Sequence, residues 1–344
     1  MQDFEKLPSA LLPWFEAAKR DLPWRENTEP YRVWVSEIML QQTRVEAVIG
    51  YYTRFLAALP TVDALACADE EKLIKLWEGL GYYSRVRNLQ KAAQIIVSEH
   101  GGVFPSDFDA IRSLPGVGPY TAGAIASICF GLPKAAVDGN VLRVTARYTN
   151  DDTPIEEPSF KKSVTERLES IYPHAACGTF TQALMELGAT VCTPRSPKCA
   201  ACPLSESCLA AKFGTAAALP VKIPKKEKRL VEKTVFLLRC GEQIALSKRP
   251  EGGLLGGMWE FPNVDEPLSA EGALQKAAQL GVQPKELLWQ VLRTHIFTHI
   301  RWEMIGYTIL CDVKDSAFTW KTLAEIEEGC ALPTAFRKFL EEQS

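Results

Sequence analysis

Apolar residues in the first 210 positions recur every three or four residues, which is the spacing that one face of an α-helix requires. The spacing predicts helices at 33–47, 70–80, 87–98, 120–130 and 160–170, with proline and glycine turns between them. No long alternating run appears in this part of the chain. We therefore expect a mostly α domain at residues 1–212.

The pattern changes after Cys208. Residues 213–230 combine two prolines, small residues and a basic run, which is typical of an interdomain linker. Strand-like runs follow at 234–239, 244–247 and 301–310, with helical patterns at 270–280 and 334–340. These patterns predict a small α+β domain at residues 231–344. The length also favours a second domain, because 344 residues exceed what a single core usually supports.

The charge is not that of a uniformly basic nucleic-acid-binding protein. The net charge is −3; residues 1–230 carry 27 Lys and Arg against 26 Asp and Glu, and residues 231–344 carry 12 against 16. Any DNA-binding face must therefore be a local patch of basic residues, not the whole surface. The apolar stretches are too short to cross a bilayer and the N-terminus lacks the basic region of a signal peptide, so we expect a cytoplasmic protein without a membrane partner.

Four of the ten cysteines lie within 17 residues and form the pattern C-x6-C-x2-C-x5-C, at Cys192, Cys199, Cys202 and Cys208. In a reducing compartment such a group indicates metal binding rather than disulfides. Four thiolates can hold either zinc or an iron–sulfur cluster. Zinc ribbons usually contain two C-x2-C pairs and this loop has one, so the spacing favours a [4Fe-4S] cubane.

A second motif reads Leu-Pro-Gly-Val-Gly-Pro and begins at Leu114. Helical patterns flank it, Gly116 and Gly118 permit a tight turn, and Pro119 suits the first turn of the following helix. The free N–H groups at that helix start form an anion site that fits a DNA phosphate. The motif predicts a helix–hairpin–helix that binds the DNA backbone without reading its sequence.

Two acids are candidates for catalysis. Asp138 lies in a Val-Asp-Gly-Asn-Val turn about twenty residues after the hairpin, and Glu37 lies among apolar neighbours in a predicted helix. Burial of Glu37 would raise its pKa and keep it protonated, as a general acid requires. The pattern alone leaves two other interpretations open: a helix cap for Asp138 and a solvated surface position for Glu37.

The order of these motifs resembles the helix–hairpin–helix DNA glycosylase superfamily, in its endonuclease III branch, and within it the MutY family of adenine DNA glycosylases. The resemblance rests on Leu-Pro-Trp-Arg from Leu22, on Ser-Glu-Ile-Met-Leu-Gln-Gln-Thr from Ser36, on Gly-Leu-Gly-Tyr-Tyr-Ser-Arg from Gly79 and on Thr-Gln-Ala-Leu-Met-Glu-Leu-Gly from Thr181. It covers nearly the whole chain.

The resemblance implies a role for each of these residues. Glu37 would protonate adenine, Asp138 would stabilise the oxocarbenium-like sugar, and Asn140 would orient the acids and water. The adenine pocket would be lined by Trp24, Arg25 and Gln182. The DNA contacts, including the wedge residues, would be Gln42, Thr43, Leu80, Tyr82, Gly116 and Gly118. The substrate would be double-stranded DNA with adenine opposite 8-oxoguanine or guanine, bound by a bacterial monomer.

Family members with lyase activity carry a lysine two residues after the second glycine of the hairpin. This chain has Tyr120 there, and a phenol cannot replace an amine as a Schiff-base nucleophile. We therefore expect base removal without efficient strand cleavage.

The second domain resembles the Nudix fold at residues 252–262, but the following helix lacks the Arg-Glu pair and the acids that would hold magnesium. The resemblance implies that this domain reads 8-oxoguanine through Phe297, Thr298 and His299, where relatives usually have Phe-Ser-His. Three alternatives are less well supported: a lyase acting on oxidised pyrimidines, a non-catalytic DNA sensor and a nucleotide hydrolase. The overall expectation is a mostly α helix–hairpin–helix glycosylase domain with an iron–sulfur loop, followed by a small α+β Nudix-like domain.

Overall fold

A computed structural model describes residues 4–224 and 227–340. The chain forms two compact units. The first comprises the described residues up to Cys67 together with Arg87–Pro224. The second comprises Ala68–Val86 together with the described residues from Glu227 onward. The segment Ala68–Val86 thus belongs to the second unit, although it precedes most of the first unit in the chain. The predicted domain bounds of 1–212, 213–230 and 231–344 stay predictions.

Helices dominate the first unit. In chain order, the helices up to residue 213 are α1 Lys6–Ala18, α2 Pro30–Leu40, α3 Val45–Ala58, α4 Val62–Ala66, α5 Glu70–Leu76, α6 Ser84–His100, α7 Phe108–Ser113, α8 Pro119–Phe130, α9 Gly139–Thr149, α10 Pro158–Glu169, α11 Cys177–Thr190 and α12 Leu209–Phe213. Short 3-10 turns lie at Pro23–Arg25 and Cys199–Ala201. Helix α5 and the start of α6 belong to the second unit.

Three of the five predicted helices in this region are confirmed by α6, α8 and α10. The predicted helix at 33–47 is wrong, because α2 ends at Leu40 and α3 begins at Val45. Gln42 has φ 58 in the intervening turn, a left-handed conformation that no α-helix accommodates. The predicted helix at 70–80 is too long, since α5 ends at Leu76 ahead of Gly79 and Gly81, whose φ values are 99 and 70.

The second unit is built on one seven-stranded sheet. Its strands are β1 Arg229–Cys240, β2 Gln243–Lys248, β3 Trp259–Glu260, β4 Asn263–Val264, β5 Pro284–Ile296, β6 Ile300–Cys311 and β7 Thr319–Thr322; its later helices are α13 Ala270–Gln279, α14 Leu323–Gly329 and α15 Thr334–Arg337. The strand order is β3-β2-β1-β6-β5, with β4 on β1 and β7 on β2. Strands β1 and β6 run parallel, and the other pairs are antiparallel.

Side chains alternate between the two faces of this sheet, and helices cover both faces. On β1, Val235 and Leu237 join one core with Phe336 of α15, whereas Phe236 and Leu238 join the other core, which α13 completes. The predicted runs at 234–239, 244–247 and 301–310 are confirmed as parts of β1, β2 and β6.

Strand β5 is the longest of the four strands that sequence reasoning missed; the others are the short strands β3, β4 and β7. It lies at one end of the strand order and its residues are half-buried or exposed, so it lacks a clear alternation of apolar and polar positions. It pairs with β6 along most of its length, with Leu292 opposite Ile305 and Ile296 opposite Arg301. The resulting hairpin carries residues 297–299 at its tip.

The first unit has its own core, to which α1, α9, α10 and α11 contribute Phe15, Tyr148, Phe160 and Phe180. Helix α8 approaches the chain before α9 so closely that a Cβ at Gly123 would collide with the carbonyl oxygen of Ala135. This approach fixes the position at which α9 begins. No helix within 4–224 and 227–340 is long and apolar enough to cross a membrane.

Candidate active site

A cavity in the first unit brings together seven of the predicted site residues. Its lining includes the predicted Trp24, Arg25, Glu37, Thr43, Asp138, Asn140 and Gln182, together with Arg20, Ser36, Met185 and Glu186. These side chains come from the residues before α2, from α2 itself, from the turn after α2, from the start of α9 and from α11. The cavity therefore depends on how α2 and its flanking turns pack against α9 and α11.

Glu37 is buried at this cavity, with only 6% of its surface exposed. Its helix begins at Pro30, where the Glu29 carboxylate accepts hydrogen bonds from the N–H groups of Tyr31 and Arg32. The Tyr120 hydroxyl donates to Glu37 Oε2 over 2.8 Å. Burial raises the pKa of Glu37 to about 7, with a further rise from Asp138, while the Tyr120 hydrogen bond opposes it. Glu37 can therefore hold or release a proton near neutral pH.

Asp138 is the N-cap of α9. Its Oδ1 accepts from the Val141 N–H and its Oδ2 accepts from the Asn140 Nδ2, both over 2.7 Å. Burial raises the pKa of Asp138, and the bonds from Val141 and Asn140, with the Arg143 charge, limit that rise. The cap interpretation from sequence is therefore correct, but it does not compete with catalysis, because the capped carboxylate lines the cavity.

Arg143 holds the Asn140 side chain in place through a hydrogen bond. Its Nη2 donates to Asn140 Oδ1 over 2.9 Å and to the Gly188 carbonyl over 2.8 Å, and its Nε donates to the Cys192 carbonyl over 2.8 Å. A Cβ at Gly188 would lie 2.6 Å from the Asn140 Cβ, so only glycine permits this approach. Sequence reasoning missed Arg143, although an arginine among the apolar positions of α9 indicates a buried polar function.

The four predicted metal ligands line a second cavity of the first unit, together with Arg147. Arg147 is buried and donates to Cys192 Sγ over 3.3 Å and to the Thr193 carbonyl over 2.8 Å. Within 4–224 and 227–340, no three His, Cys, Asp or Glu side chains are close enough to hold a single metal ion. The choice between zinc and an iron–sulfur cluster rests on the cysteine spacing, in which a single C-x2-C pair favours the cluster.

Glu186 is an ionised group that sequence reasoning did not assign. Its oxygens accept from Arg20 Nε over 2.7 Å and from Arg25 Nη2 over 2.8 Å, and its side chain is fully buried. Burial alone would raise the pKa of Glu186, but the hydrogen bonds from Arg20 and Arg25 lower it to about 2. The predicted pocket residue Arg25 is thus held by a carboxylate beside Trp24 and Gln182.

The hairpin between α7 and α8 has the predicted geometry. Gly116 has φ 77, and a Cβ there would lie 2.8 Å from the Asn88 Cβ. Gly118 is the N-cap of α8, makes no side-chain cap, and its Cβ position faces open space. This leaves the first N–H groups of α8 available to an anion. The DNA contacts of Gly116, Gly118 and Gln42 stay predictions.

The predicted wedge residues Leu80 and Tyr82 both lie in the second unit. Leu80 is only 7% exposed, whereas Tyr82 is 45% exposed and has φ 48. The Tyr82 and Thr298 hydroxyls lie 2.6 Å apart and share a hydrogen bond. As placed here, Tyr82 can reach a ligand and Leu80 packs inside its unit.

The predicted reading loop is the tip of the β5–β6 hairpin. The Phe297 N–H donates to the Ile300 carbonyl over 2.8 Å and closes the turn. The Phe297 ring packs edge-on against Trp302 and His295, with ring centres 4.8 and 4.6 Å away. Thr298 and His299 are exposed. Phe297 is therefore an anchor, and the other two residues are the ones presented to a ligand.

Three family profiles match the chain. Residues 35–173 match the HhH-GPD superfamily of base excision DNA repair proteins, 192–208 match the iron–sulfur binding domain of endonuclease III, and 234–342 match the NUDIX domain. A thermostable thymine-DNA glycosylase structure has a TM-score of 0.55 at 29% identity, covering 61% of this chain and 97% of that chain. Endonuclease III trapped covalently on DNA has a TM-score of 0.51 at 26% identity, covering 61% and 98%. The fold and the site define a DNA glycosylase of the helix–hairpin–helix class.

The adenine DNA glycosylase of Rattus norvegicus is 36% identical over 394 residues, which cover 95% of this chain and 76% of that protein. The chain belongs to the adenine DNA glycosylase family. It acts in base excision repair on DNA as its substrate, and it carries a [4Fe-4S] cluster. The iron–sulfur domain match at 192–208 spans Cys192, Cys199, Cys202 and Cys208, whose role as the four ligands stays a prediction. The predicted fold class, enzyme class and cofactor are confirmed.

The cluster assignment predicts about four iron and four sulfide per chain in anaerobically purified protein. Cys202→Ser should lose most of this iron, because one corner of the cubane loses its thiolate. Cys129→Ser, on α8 and outside the loop, should keep it. Stoichiometric zinc without iron in the unaltered protein would contradict the assignment.

The environment of Glu37 predicts how excision depends on pH. If Glu37 is the general acid, its protonated form is the active one, and the second-order rate constant should fall above about pH 7, the pKa of Glu37. Tyr120→Phe removes a hydrogen bond that lowers this pKa, and should therefore move the alkaline limb to higher pH. Tyr51→Phe, on α3, should leave the limb in place. A limb that stays fixed or moves to lower pH in Tyr120→Phe would show that Glu37 does not control it.

Proposed function

We propose that this protein removes adenine paired with 8-oxoguanine, or with guanine, by base flipping and acid-catalysed hydrolysis of the N-glycosidic bond. The observation that carries the proposal is the pairing of two unlike acids on one cavity. Glu37 is buried with a pKa near neutrality, and Asp138 is a hydrogen-bonded cap. One acid in apolar surroundings and one that accepts two hydrogen bonds can act as a proton donor and as an anion, because hydrogen bonds to a carboxylate favour its charged form.

Adenine must leave the base stack to reach these groups, because its glycosidic bond is inaccessible inside a duplex. The cavity offers an apolar wall at Trp24 and a polar edge at Arg25, Gln182 and Glu186. An amino-bearing purine has both hydrogen-bond donors and acceptors on its edge. A fixed carboxylate with fixed guanidinium groups and a side-chain amide complements that pattern.

In the proposed chemistry, Glu37 donates its proton to the adenine ring as the bond between the sugar C1′ and the base breaks. The bonding electron pair leaves with the base, and positive charge develops on the sugar. The Asp138 carboxylate stabilises that charge electrostatically. Asn140, held by Arg143, keeps Asp138 in place. The oxygen of a water molecule then bonds to C1′, and the proton that the water loses passes to the Glu37 carboxylate left by the first step.

Strand cleavage is not part of the proposed reaction. Tyr120 occupies the position of the lyase lysine, and its hydroxyl is bonded to Glu37. A buried phenol with a pKa well above its usual range cannot form a Schiff base with the sugar. The product should therefore be an abasic site in an intact strand.

The second unit is proposed to recognise the opposite base. 8-Oxoguanine differs from guanine mainly by an oxygen at C8 and a proton at N7. The exposed Thr298 hydroxyl and His299 can supply hydrogen bonds to such atoms. Helix α13 has a single acid, Glu271, and no Arg-Glu pair, which argues against nucleotide hydrolysis by this NUDIX-like unit. We propose that the protein acts as a monomer on double-stranded DNA.

Glu37→Gln should reduce single-turnover excision from the A·8-oxoguanine duplex by at least about a hundredfold, because the amide cannot supply the proton. Binding to that duplex should stay near that of the unaltered protein, since the side chain keeps its shape. Glu16→Gln, at an exposed position on α1, is the matched control. Retention of the native rate in Glu37→Gln would exclude Glu37 as the acid.

Thr298→Ala with His299→Ala should leave adenine excision in place and weaken the preference for 8-oxoguanine over guanine by about 1–3 kcal/mol, because one or two hydrogen bonds are removed. Thr294→Ala, on β5 below the tip, should keep the preference. An unchanged preference in the double variant would move lesion recognition to another part of the chain.

A further inference from the structure

The Glu78 side chain ties the loop after α5 to the rest of the second unit. Its Oε1 accepts from the Leu332 N–H over 2.9 Å. Its Oε2 pairs with Arg337 Nη1 over 2.9 Å and with Lys75 Nζ over 2.8 Å. The Glu78 side chain is only 9% exposed, whereas its partners Lys75 and Arg337 are 23% and 43% exposed, so the carboxylate is buried and the cations reach it from the surface. Both carboxylate oxygens are therefore committed to holding this segment.

A second ion pair in the same segment is of a different kind. Glu71 and Lys248 lie 2.7 Å apart, but their side chains are 55% and 49% exposed. Exposed ion pairs contribute little to the stability of the fold, because water and salt screen their charges. Glu71 therefore provides a matched comparison for Glu78, with the same charge and the same segment but little burial.

The chain after Glu78 is a tight loop with little freedom. Gly79 and Gly81 have φ values of 99 and 70, and Tyr82 has φ 48. Arg85 Nη2 donates to the carbonyls of Leu80 and Gly81, over 3.0 Å each. Because these hydrogen bonds hold the loop, a displacement of Glu78 at its start would also displace Tyr82 near its end. The position of Glu78 therefore determines the position of the Tyr82 ring.

The Tyr82 hydroxyl meets the tip of the β5–β6 hairpin at Thr298, with 2.6 Å between the two oxygens. The hairpin tip is fixed independently by the packing of Phe297 on Trp302 and by the Arg229 N–H, which donates to the His299 carbonyl over 3.0 Å. The loop after Glu78 and the hairpin tip, each held by its own contacts, therefore meet at the hydrogen bond between Tyr82 and Thr298. The alignment of the two depends on Glu78, which anchors the loop.

We propose that Glu78, paired with Arg337, is a positioning residue for recognition of the opposite base. It holds loop 79–83 against the hairpin tip, so that Tyr82 orients the Thr298 hydroxyl toward the oxidised base. This inference rests on the proposed function, in which Thr298 and His299 read 8-oxoguanine. Glu78 itself contacts no substrate and acts through Tyr82.

The test compares single-turnover excision rates and affinities on duplexes that carry adenine opposite 8-oxoguanine or opposite guanine. Glu78→Gln keeps the acceptor for Leu332 and the volume, but loses the charge that pairs with Arg337. We expect the ratio of the two substrates to fall by about tenfold. Arg337→Met should cause a similar fall by removing the other partner. Glu71→Gln should leave the ratio unchanged.

A double-variant cycle separates positioning from a general loss of structure. Tyr82→Phe alone should lower the ratio, and adding Glu78→Gln should lower it no further, because both changes break the same path. The proposal would be overturned if the losses from Tyr82→Phe and Glu78→Gln added together in the double variant and excision slowed equally on both duplexes.

The double variant Thr298→Ala with His299→Ala separates a failure of the Glu78 proposal from a failure of the lesion-reader assignment on which it rests. If that variant loses the preference while Glu78→Gln and Arg337→Met keep it, Glu78 has no positioning role and the lesion reader stands. If the variant at the tip also keeps the preference, the reader assignment and the role of Glu78 are both wrong.

Discussion

Helix α9 is the element on which the catalytic site depends, because it links the acid to the cysteine loop. Asp138 caps the N-terminus of α9, and Arg143 on the same helix holds Asn140 on one side and the Cys192 carbonyl on the other. Arg147, one turn further along, contacts the Cys192 sulfur and the Thr193 carbonyl. Each arginine spreads its N–H groups over several carbonyls that would otherwise be buried without donors. The cysteine loop is thereby connected through Arg143 and Asn140 to the Asp138 carboxylate.

The second constraint is the difference between two acids that share one cavity. Glu37 has apolar surroundings and one hydroxyl partner, so burial dominates and its pKa rises to about 7. Asp138 accepts two hydrogen bonds of 2.7 Å, which favour its charged form and oppose the effect of burial. The difference comes from local structure: Glu37 lies within a buried helix, whereas Asp138 lies at a helix start. In the proposed mechanism, this difference lets Glu37 supply the proton to the base and Asp138 supply the negative charge near the sugar.

Local signals in the sequence predicted the parts of the site that depend on neighbouring residues. The cysteine spacing, the glycines of the hairpin and the cap at Asp138 all act over a few positions. The ion pairs of Glu186 with Arg20 and Arg25 span 166 and 161 residues, so no local pattern could indicate them. Strand β5 escaped notice because an edge strand with two partly exposed faces lacks alternation. The burial of Leu80 and the grouping of Ala68–Val86 with the sheet depend on tertiary packing, which spacing along the chain does not encode.

The central claim is that this chain removes adenine by hydrolysis and leaves the strand intact. The most direct measurement incubates excess protein with duplexes that carry adenine opposite 8-oxoguanine, adenine opposite guanine, or thymine glycol, and quenches each reaction with and without alkali. The account predicts free adenine from the first two duplexes, faster from the first, strand breaks only after alkali, and no product from thymine glycol. Release of thymine glycol, or strand breaks without alkali at the rate of base release, would contradict it.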